Sequence, residues 1–291
     1  MNLKLDYNYV LEGFVGDEGL DTGEISLYSS LIATAIENMK KKKKDGKMDF
    51  RIIPFEQNDV VKEINEYCEE VKNSGKIDTF VVLGIGGSAL GPIAVQQALN
   101  HPWYNELPKE KRMGCPKLYV LDNVDPEKIS YFLDICNLET TLFNVISKSG
   151  STSETMSQFM ILEKMVADKV GEENLKDHFV FTTDSEKGNL RKIGNEKGYK
   201  MFTVPSGVGG RFSELTPVGL LAAAMCGIDI EDMLRGARDM EDACDKNNFK
   251  ESPAYMYAII HYMLMKKGKP MSVMMPYADS LKYMSDWYCQ L

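Results

Sequence analysis

The chain has 291 residues, 44% hydrophobic and 26% charged, with a formal net charge of −9. That length supports one large domain or two smaller ones with a buried core, and no apolar run approaches the roughly 18 residues that span a membrane. The acidic balance argues against nucleic acid as the main partner, because phosphate backbones are bound by basic surfaces.

Taken in chain order, Lys40 to Lys44 followed by Asp45-Gly46-Lys47 reads as the frayed end of a helix and a solvated turn. From Asp59, Val60, Val61, Ile64, Tyr67, Cys68 and Val71 recur at helical spacing, and Asn73-Ser74-Gly75 closes that helix. A strand is predicted at Thr79 to Leu83, a glycine-rich turn at Gly84 to Ser88, and a helix through Gln97. Leu118 to Leu121 is a second strand, Asp125-Pro126 opens a helix carrying Ile129, Phe132 and Leu133, and Leu142 to Ile146 is a third strand. A helix from Met156 to Val170, a strand at Phe179 to Thr182, a helix from Glu186 to Lys197 and a fifth strand at Lys200 to Val204 complete the alternation. Strands alternating with helices predict an α/β fold with a five-stranded parallel sheet covered on both faces.

Beyond Gly210 the pattern turns helical over Glu214 to Cys226, Ile230 to Asp245 and Pro253 to Lys267. Pro270 to Met275 then looks like a new strand, Pro276 to Ala278 a turn, and Asp279 starts a helix kept by Leu281, Met284, Trp287, Tyr288 and Leu291. The expected division is a helical or extended segment at 1–58, an α/β domain at 59–212, connecting helices at 213–268, and the start of a second α/β unit at 269–291.

Nothing at Met1 to Val10 reads as a signal peptide, since Lys4 and Asp6 interrupt its apolar character, and the expected location is the cytoplasm. The six cysteines form no C-x-x-C pair and read as reduced, packed thiols; His101, His178 and His261 show no metal spacing. Neither a metal nor a cofactor is expected, nor nucleic-acid or membrane partners.

Ser147 to Thr155 directly follows the third strand and places six hydroxyls and the Lys148 ammonium where strand gives way to helix. A helix start leaves backbone N–H groups unpaired and carries the positive end of the helix dipole, so a phosphate there collects backbone, hydroxyl and cationic donors together. The plainer reading is a helix cap at Thr152 or Ser153 with surplus serines. Gly84-Ile85-Gly86-Gly87-Ser88-Ala89-Leu90-Gly91 follows a strand and opens a helix, but its spacing is not G-x-G-x-x-G, and Asp122 lies further on than a dinucleotide fold expects. Instead, Gly86 and Gly87 allow close backbone approach to a ligand, with Ser88 offering its hydroxyl. Ser206 to Ser213 holds three glycines that aim Arg211 into the same cleft, unless Arg211 simply pairs with Glu214 or Asp184.

These three segments, Leu83 to Pro92, Ser147 to Thr155 and Gly209-Gly210-Arg211-Phe212-Ser213, together closely resemble the glucose-6-phosphate isomerase (phosphoglucose isomerase) family of the shorter bacterial type, and the resemblance runs over essentially the whole chain. It implies two sugar-isomerase α/β domains, of which this chain holds the first and the beginning of the second, in a homodimer when full length. It implies phosphate binding by Ser147, Lys148, Ser149 and Thr152, a sugar site lined by Gly87, Ser88 and Gly210, and a substrate-contacting Gln290. Arg211 resembles the arginine that stabilises the cis-enediolate between glucose 6-phosphate and fructose 6-phosphate. The family's proton-moving glutamate, ring-opening histidine and later lysine have no counterpart in these residues, so the expectation is a fragment that binds hexose phosphate weakly and is essentially inactive. Two other readings remain open: a non-catalytic sugar-phosphate regulator, and the isomerase half of a glucosamine-6-phosphate synthase. The first lacks a basic DNA-reading helix, and the second requires a glutaminase domain with an amino-terminal cysteine where this chain begins Met1-Asn2-Leu3.

Overall fold

A computed structural model describes residues 3–291. In chain order its helices and strands are α1 (Glu12–Val15), α2 (Thr22–Leu27), α3 (Ser29–Lys44), α4 (Asn58–Ser74), β1 (Thr79–Leu83), α5 (Gly87–Leu99), β2 (Lys117–Leu121), α6 (Pro126–Ile135), β3 (Thr141–Ser147), α7 (Ser153–Val170), β4 (Phe179–Thr183), α8 (Asn189–Lys197), β5 (Lys200–Thr203), α9 (Pro217–Met225), α10 (Ile230–Cys244), α11 (Pro253–Lys266) and α12 (Lys282–Gln290). The chain divides into two compact units, one of residues up to Phe55 with Asp232–Met274, the other of Glu56–Glu231 with Met275–Leu291.

The larger unit is built on five parallel strands in the order β2-β1-β3-β4-β5. Every residue of β1, β3 and β4 is buried, which is why these strands read as continuous apolar runs. Beneath the sheet Phe143, Phe159, Phe179, Phe181 and Tyr199 interlock, Phe159 meeting Phe181 edge-on with ring centres 5.2 Å apart. Each such ring removed from water contributes roughly 1.5–3 kcal/mol. From β1 the chain crosses to β2 on one side, then returns past β1 to β3 and continues outward. The order therefore reverses between β1 and β3, and the loops at their carboxyl ends open a crevice there.

The helices start and stop on local chemistry. Asp125 accepts from the Glu127 and Lys128 amides ahead of Pro126 and fixes the start of α6. α4 buries Val61, Ile64 and Cys68 and ends on left-handed Gly75 at φ 66°. α9 begins at Pro217 rather than Glu214, because Thr216 takes the cap position and accepts from the Val218 amide at 3.3 Å. α8 begins at Asn189 rather than Glu186, because Asp184 holds the Glu186 and Lys187 amides in a turn and Gly188 follows at φ 98°.

One element does not form. Pro270 to Met275, expected as a strand, pairs with nothing among the described residues, and Met271 and Val273 are exposed. β-branched and apolar character makes a strand only when a neighbour supplies hydrogen bonds.

The smaller unit is helical. Its core gathers Leu20, Ile25, Ile32 and Ile36 against Met256, Ile259, Ile260 and Met263. Arg51 grips Glu241 with two donors, at 2.8 and 2.7 Å, and Lys43 joins the same carboxylate at 2.7 Å. The basic run at the end of α3 is thus partly neutralised by the unit itself. Among the described residues no helix is long and apolar enough to cross a membrane.

Candidate active site

The carboxyl end of β3 delivers the hydroxyl-rich loop. Thr183 donates to the Ser147 carbonyl at 2.7 Å, and the Ser147 hydroxyl bonds that of Thr152 at 2.9 Å. Ser149 accepts from the amide and hydroxyl of Ser151 at 3.3 and 3.2 Å. Thr152 occupies the cap position of α7 but makes no side-chain bond to the helix, so its hydroxyl serves the loop. The amides of the first turn of α7 are left to a ligand or to water.

The carboxyl end of β4 closes against that loop backbone to backbone. A Cβ on Gly150, at φ 63°, would lie 2.7 Å from the Asn189 nitrogen, and one on Gly188 would lie 2.5 Å from the Ser149 carbonyl oxygen. Only glycine permits this approach, at a backbone conformation other residues avoid. The starts of α7 and α8 therefore meet at one point. Between them lies a cavity of about 520 Å³ lined by Ile85, Ser88, Ile146, Ser147, Lys148, Ser149, Thr152, Asp184, Lys187 and Gly210.

Lys148 does not stand free there. Its ammonium donates to the carbonyls of Ser206 at 2.6 Å and Val208 at 2.8 Å, which ties the β5–α9 connection to the end of β3 and leaves one N–H for a ligand. Asp184 accepts from the Glu186 and Lys187 amides at 3.0 and 3.1 Å; those backbone donors, with Lys148 and Lys187 nearby, hold its carboxyl below the usual range.

The Gly86-Gly87 turn is used on the protein itself. A Cβ on Gly87 would come within 2.2 Å of the Gly210 oxygen, and one on Gly86, at φ 58°, within 2.7 Å of the Gln290 side-chain nitrogen. Close packing of the chain's own loops therefore requires these glycines. Arg211 sits in the short 3-10 turn Gly210–Phe212 and is exposed; its Nη1 donates to the Gln290 carbonyl at 3.1 Å, while the Trp287 indole returns a bond to the Arg211 carbonyl at 3.2 Å. It pairs with neither Glu214 nor Asp184. The Gln290 Oε1 is buried and has no partner among the described residues.

Glu214 lies just behind this turn. It is 3% exposed, both carboxylate oxygens lack a partner among the described residues, and Cβ atoms on Gly91 or Gly219 would lie 2.0 and 2.2 Å from it. Burial alone pushes its carboxyl well above the usual range, which favours the neutral form of this side chain wedged between α5 and α9. The three histidines do not enter the cavity: His178 is buried with Nδ1 on the Thr141 carbonyl at 2.8 Å, His101 accepts from the Trp103 amide at 3.0 Å, and His261 stacks on Tyr257. The six cysteines are free thiols.

Residues 31–291 match the family model described as phosphoglucose isomerase. The chain belongs to the phosphoglucose isomerase family. A glucose-6-phosphate isomerase of Carboxydothermus hydrogenoformans is 49% identical over 291 residues, covering 100% of this chain and 62% of that relative. One from Rubrobacter xylanophilus is 42% identical over 227 residues, 78% of this chain and 51% of that relative. The chain thus spans half to five-eighths of the length of these relatives. Among solved structures, a hypothetical protein of Thermus thermophilus superposes with a TM-score of 0.81 at 32% identity, over 92% of this chain and 60% of that one. A glucose-6-phosphate isomerase of Chlamydia trachomatis shares the fold, with a TM-score of 0.66 at 23% identity over 79% of this chain and 42% of that one.

Of the residues assigned from sequence to this phosphoglucose isomerase family site, Ser88, Ser147, Lys148, Ser149, Thr152 and Gly210 share one cavity. Gly87, Arg211 and Gln290 lie outside its lining: Gly87 is buried against Gly210, and the other two are bonded to each other. Sequence reasoning missed Asp184 and Lys187. Their signal, the acidic turn before a glycine after a fourth strand, has meaning only once β4 lies beside β3.

Proposed function

We propose that this chain binds the phosphate of a hexose 6-phosphate in the cavity at the ends of β1, β3 and β4, as part of an isomerase that interconverts glucose 6-phosphate and fructose 6-phosphate. The observation that supports this most is the convergence of four phosphate-type donors, Ser147, Ser149, Thr152 and the open start of α7, in one cavity with Ser88. The relatives' name supplies the sugar, and the geometry favours a small anion.

In such a reaction a base takes the C2 proton of the open-chain aldose. The electron pair forms a C1–C2 double bond and the C1 carbonyl oxygen becomes an oxyanion; the C2 hydroxyl proton passes to that oxygen, and the oxyanion left on C2 re-forms a carbonyl there as the first proton returns to C1. Arg211, exposed on the Gly210–Phe212 turn and next in sequence to the Gly210 that lines the cavity, is the group suited to that oxyanion. Gln290, whose carbonyl holds the Arg211 guanidinium, is the substrate-contacting residue that resemblance assigns. No glutamate or histidine lines this cavity, and the residues that resemblance assigns to proton transfer have no match in the 291 residues. We therefore assign to this length of chain the binding half of the site, within a first sugar-isomerase domain and, in the complete enzyme, a cytoplasmic homodimer.

Calorimetric titration with fructose 6-phosphate and with fructose tests the reading. Binding of the phosphorylated sugar alone supports it, and equal or absent binding of both overturns it. A coupled assay on the same chain is expected to give no turnover; normal turnover would sink the claim that the missing base matters.

A further inference from the structure

We infer that Lys187 is the cation that meets the substrate phosphate, a role that resemblance gives to Lys148; the inference rests on the proposed hexose-phosphate site. Lys148 and Lys187 are the two cations that line the cavity. Two of the three N–H donors of Lys148 are spent on the carbonyls of Ser206 and Val208, so its first task is to hold the β5–α9 connection. Lys187 differs. Its ammonium acts on Asp184 through space, with no hydrogen bond or ion pair to its side chain among the described residues, and all its donors remain available. Asp184, the nearby carboxylate, is turned to backbone amides.

The position of Lys187 is fixed by its neighbour. Gly188 is locked against the Ser149 carbonyl, and Gly150 against the first amides of α8, so the backbone of residue 187 cannot drift from the hydroxyl loop without breaking both contacts. A phosphate seated on Ser147, Ser149 and Thr152 therefore lies in a cavity that Lys187 also lines, with its backbone anchored and its side chain exposed and long enough to turn toward the hydroxyl loop. Charge balance points the same way. Lys148 and Asp184 offset each other within the lining, and Lys187 supplies the net positive charge that a phosphate dianion requires. Lys187 thus sets the preference for phosphorylated over free sugar at the rim of the cavity.

Titration of the 291-residue chain with inorganic phosphate and with fructose 6-phosphate tests this on Lys187→Gln, Lys187→Arg and Ser147→Ala, each checked for an unchanged thermal midpoint or corrected for it. Lys187→Gln is expected to weaken both ligands about five- to twenty-fold, the scale of one charge-assisted hydrogen bond at a partly exposed site. Lys187→Arg should keep most of the affinity, and the deficit of the Gln variant should shrink as salt rises. If Lys187→Gln binds like the unaltered chain while Ser147→Ala binds weakly, the inference fails and the site stands. If the unaltered chain binds neither ligand, or Ser147→Ala has no effect, the site reading itself fails and takes the inference with it.

Discussion

The two ends of the crevice are built differently. At the end proposed for phosphate, the β3–α7 and β4–α8 loops meet through Gly150 and Gly188 at distances no side chain tolerates, and the hydroxyls of Ser147, Ser149, Ser151 and Thr152 are bonded to one another. At the arginine end, Arg211 is exposed on one carbonyl contact, the Gln290 Oε1 is buried without a partner, and the Glu214 carboxyl is wedged unbonded behind them. A site that anchors a constant group gains affinity by being formed in advance, since nothing need be ordered on binding. A site that answers negative charge appearing during a reaction needs donors held in reserve, and the exposed Arg211 guanidinium, with Nη1 on one carbonyl, holds them.

Backbone substitutions offer the largest test of that contrast. Gly188→Ala adds left-handed strain of about 1–2 kcal/mol to a collision with the Ser149 carbonyl worth about 1–3 kcal/mol, and denaturant unfolding should show their sum. Gly87→Ala meets the Gly210 oxygen more closely, at 2.2 Å, but at a backbone angle other residues accept and against an exposed turn that can give way, so only the second cost applies. The smaller loss is expected to displace the Gly210–Arg211 turn. Equal losses at both positions would mean that the two ends are equally rigid. Ligand binding then separates them by chemistry. Ser147→Ala should weaken fructose 6-phosphate about ten- to hundred-fold by removing a donor to a charged group, while Arg211→Gln should change equilibrium affinity less than about three-fold, because its partner develops only in the transition state. An Arg211→Gln defect as large as that of Ser147→Ala would break the comparison.

How much of this the sequence revealed follows from the range of the interactions. The three central strands were legible because burial on both faces demands continuous apolar runs such as Thr79 to Leu83 and Thr141 to Ser147, and the edge strands by their alternation with helices. The turn from β3 into α7 at the hydroxyl-rich loop was legible because hydroxyls and a helix start act locally. The partners of Lys148 lie 58 and 60 residues away, and nothing near Lys148 announces them. Lys187 joins the lining of the cavity only through the pairing of β3 with β4. Pro270 to Met275 misled in the opposite direction: its composition suits a strand, but composition supplies no neighbour. Glu214 read as the start of a helix, and its burial is decided by Gly91 and Gly219 on two other turns of chain.

Glu214 gives the smallest and most specific test, and it acts on the arginine end alone. α5 and α9, between which it lies, contain no titratable side chain, so nothing there compensates its charge. Its carboxyl is held by burial well above 4.5, so the folded chain binds this proton more tightly than the unfolded chain does. Its contribution to stability is full below the unfolded value near 4.5 and declines as pH rises toward the folded value. Glu214→Gln keeps the shape and removes the titration, so its thermal midpoint should lose that part of the alkaline decline. Glu214→Met should also exceed the unaltered chain in midpoint at pH 8, with the gap narrowing toward pH 4.5, because an apolar group of similar length leaves no buried oxygen unbonded. Parallel pH profiles for all three proteins would show that the carboxyl reaches a partner or water in solution, and the arginine end would then be as fully satisfied as the phosphate end.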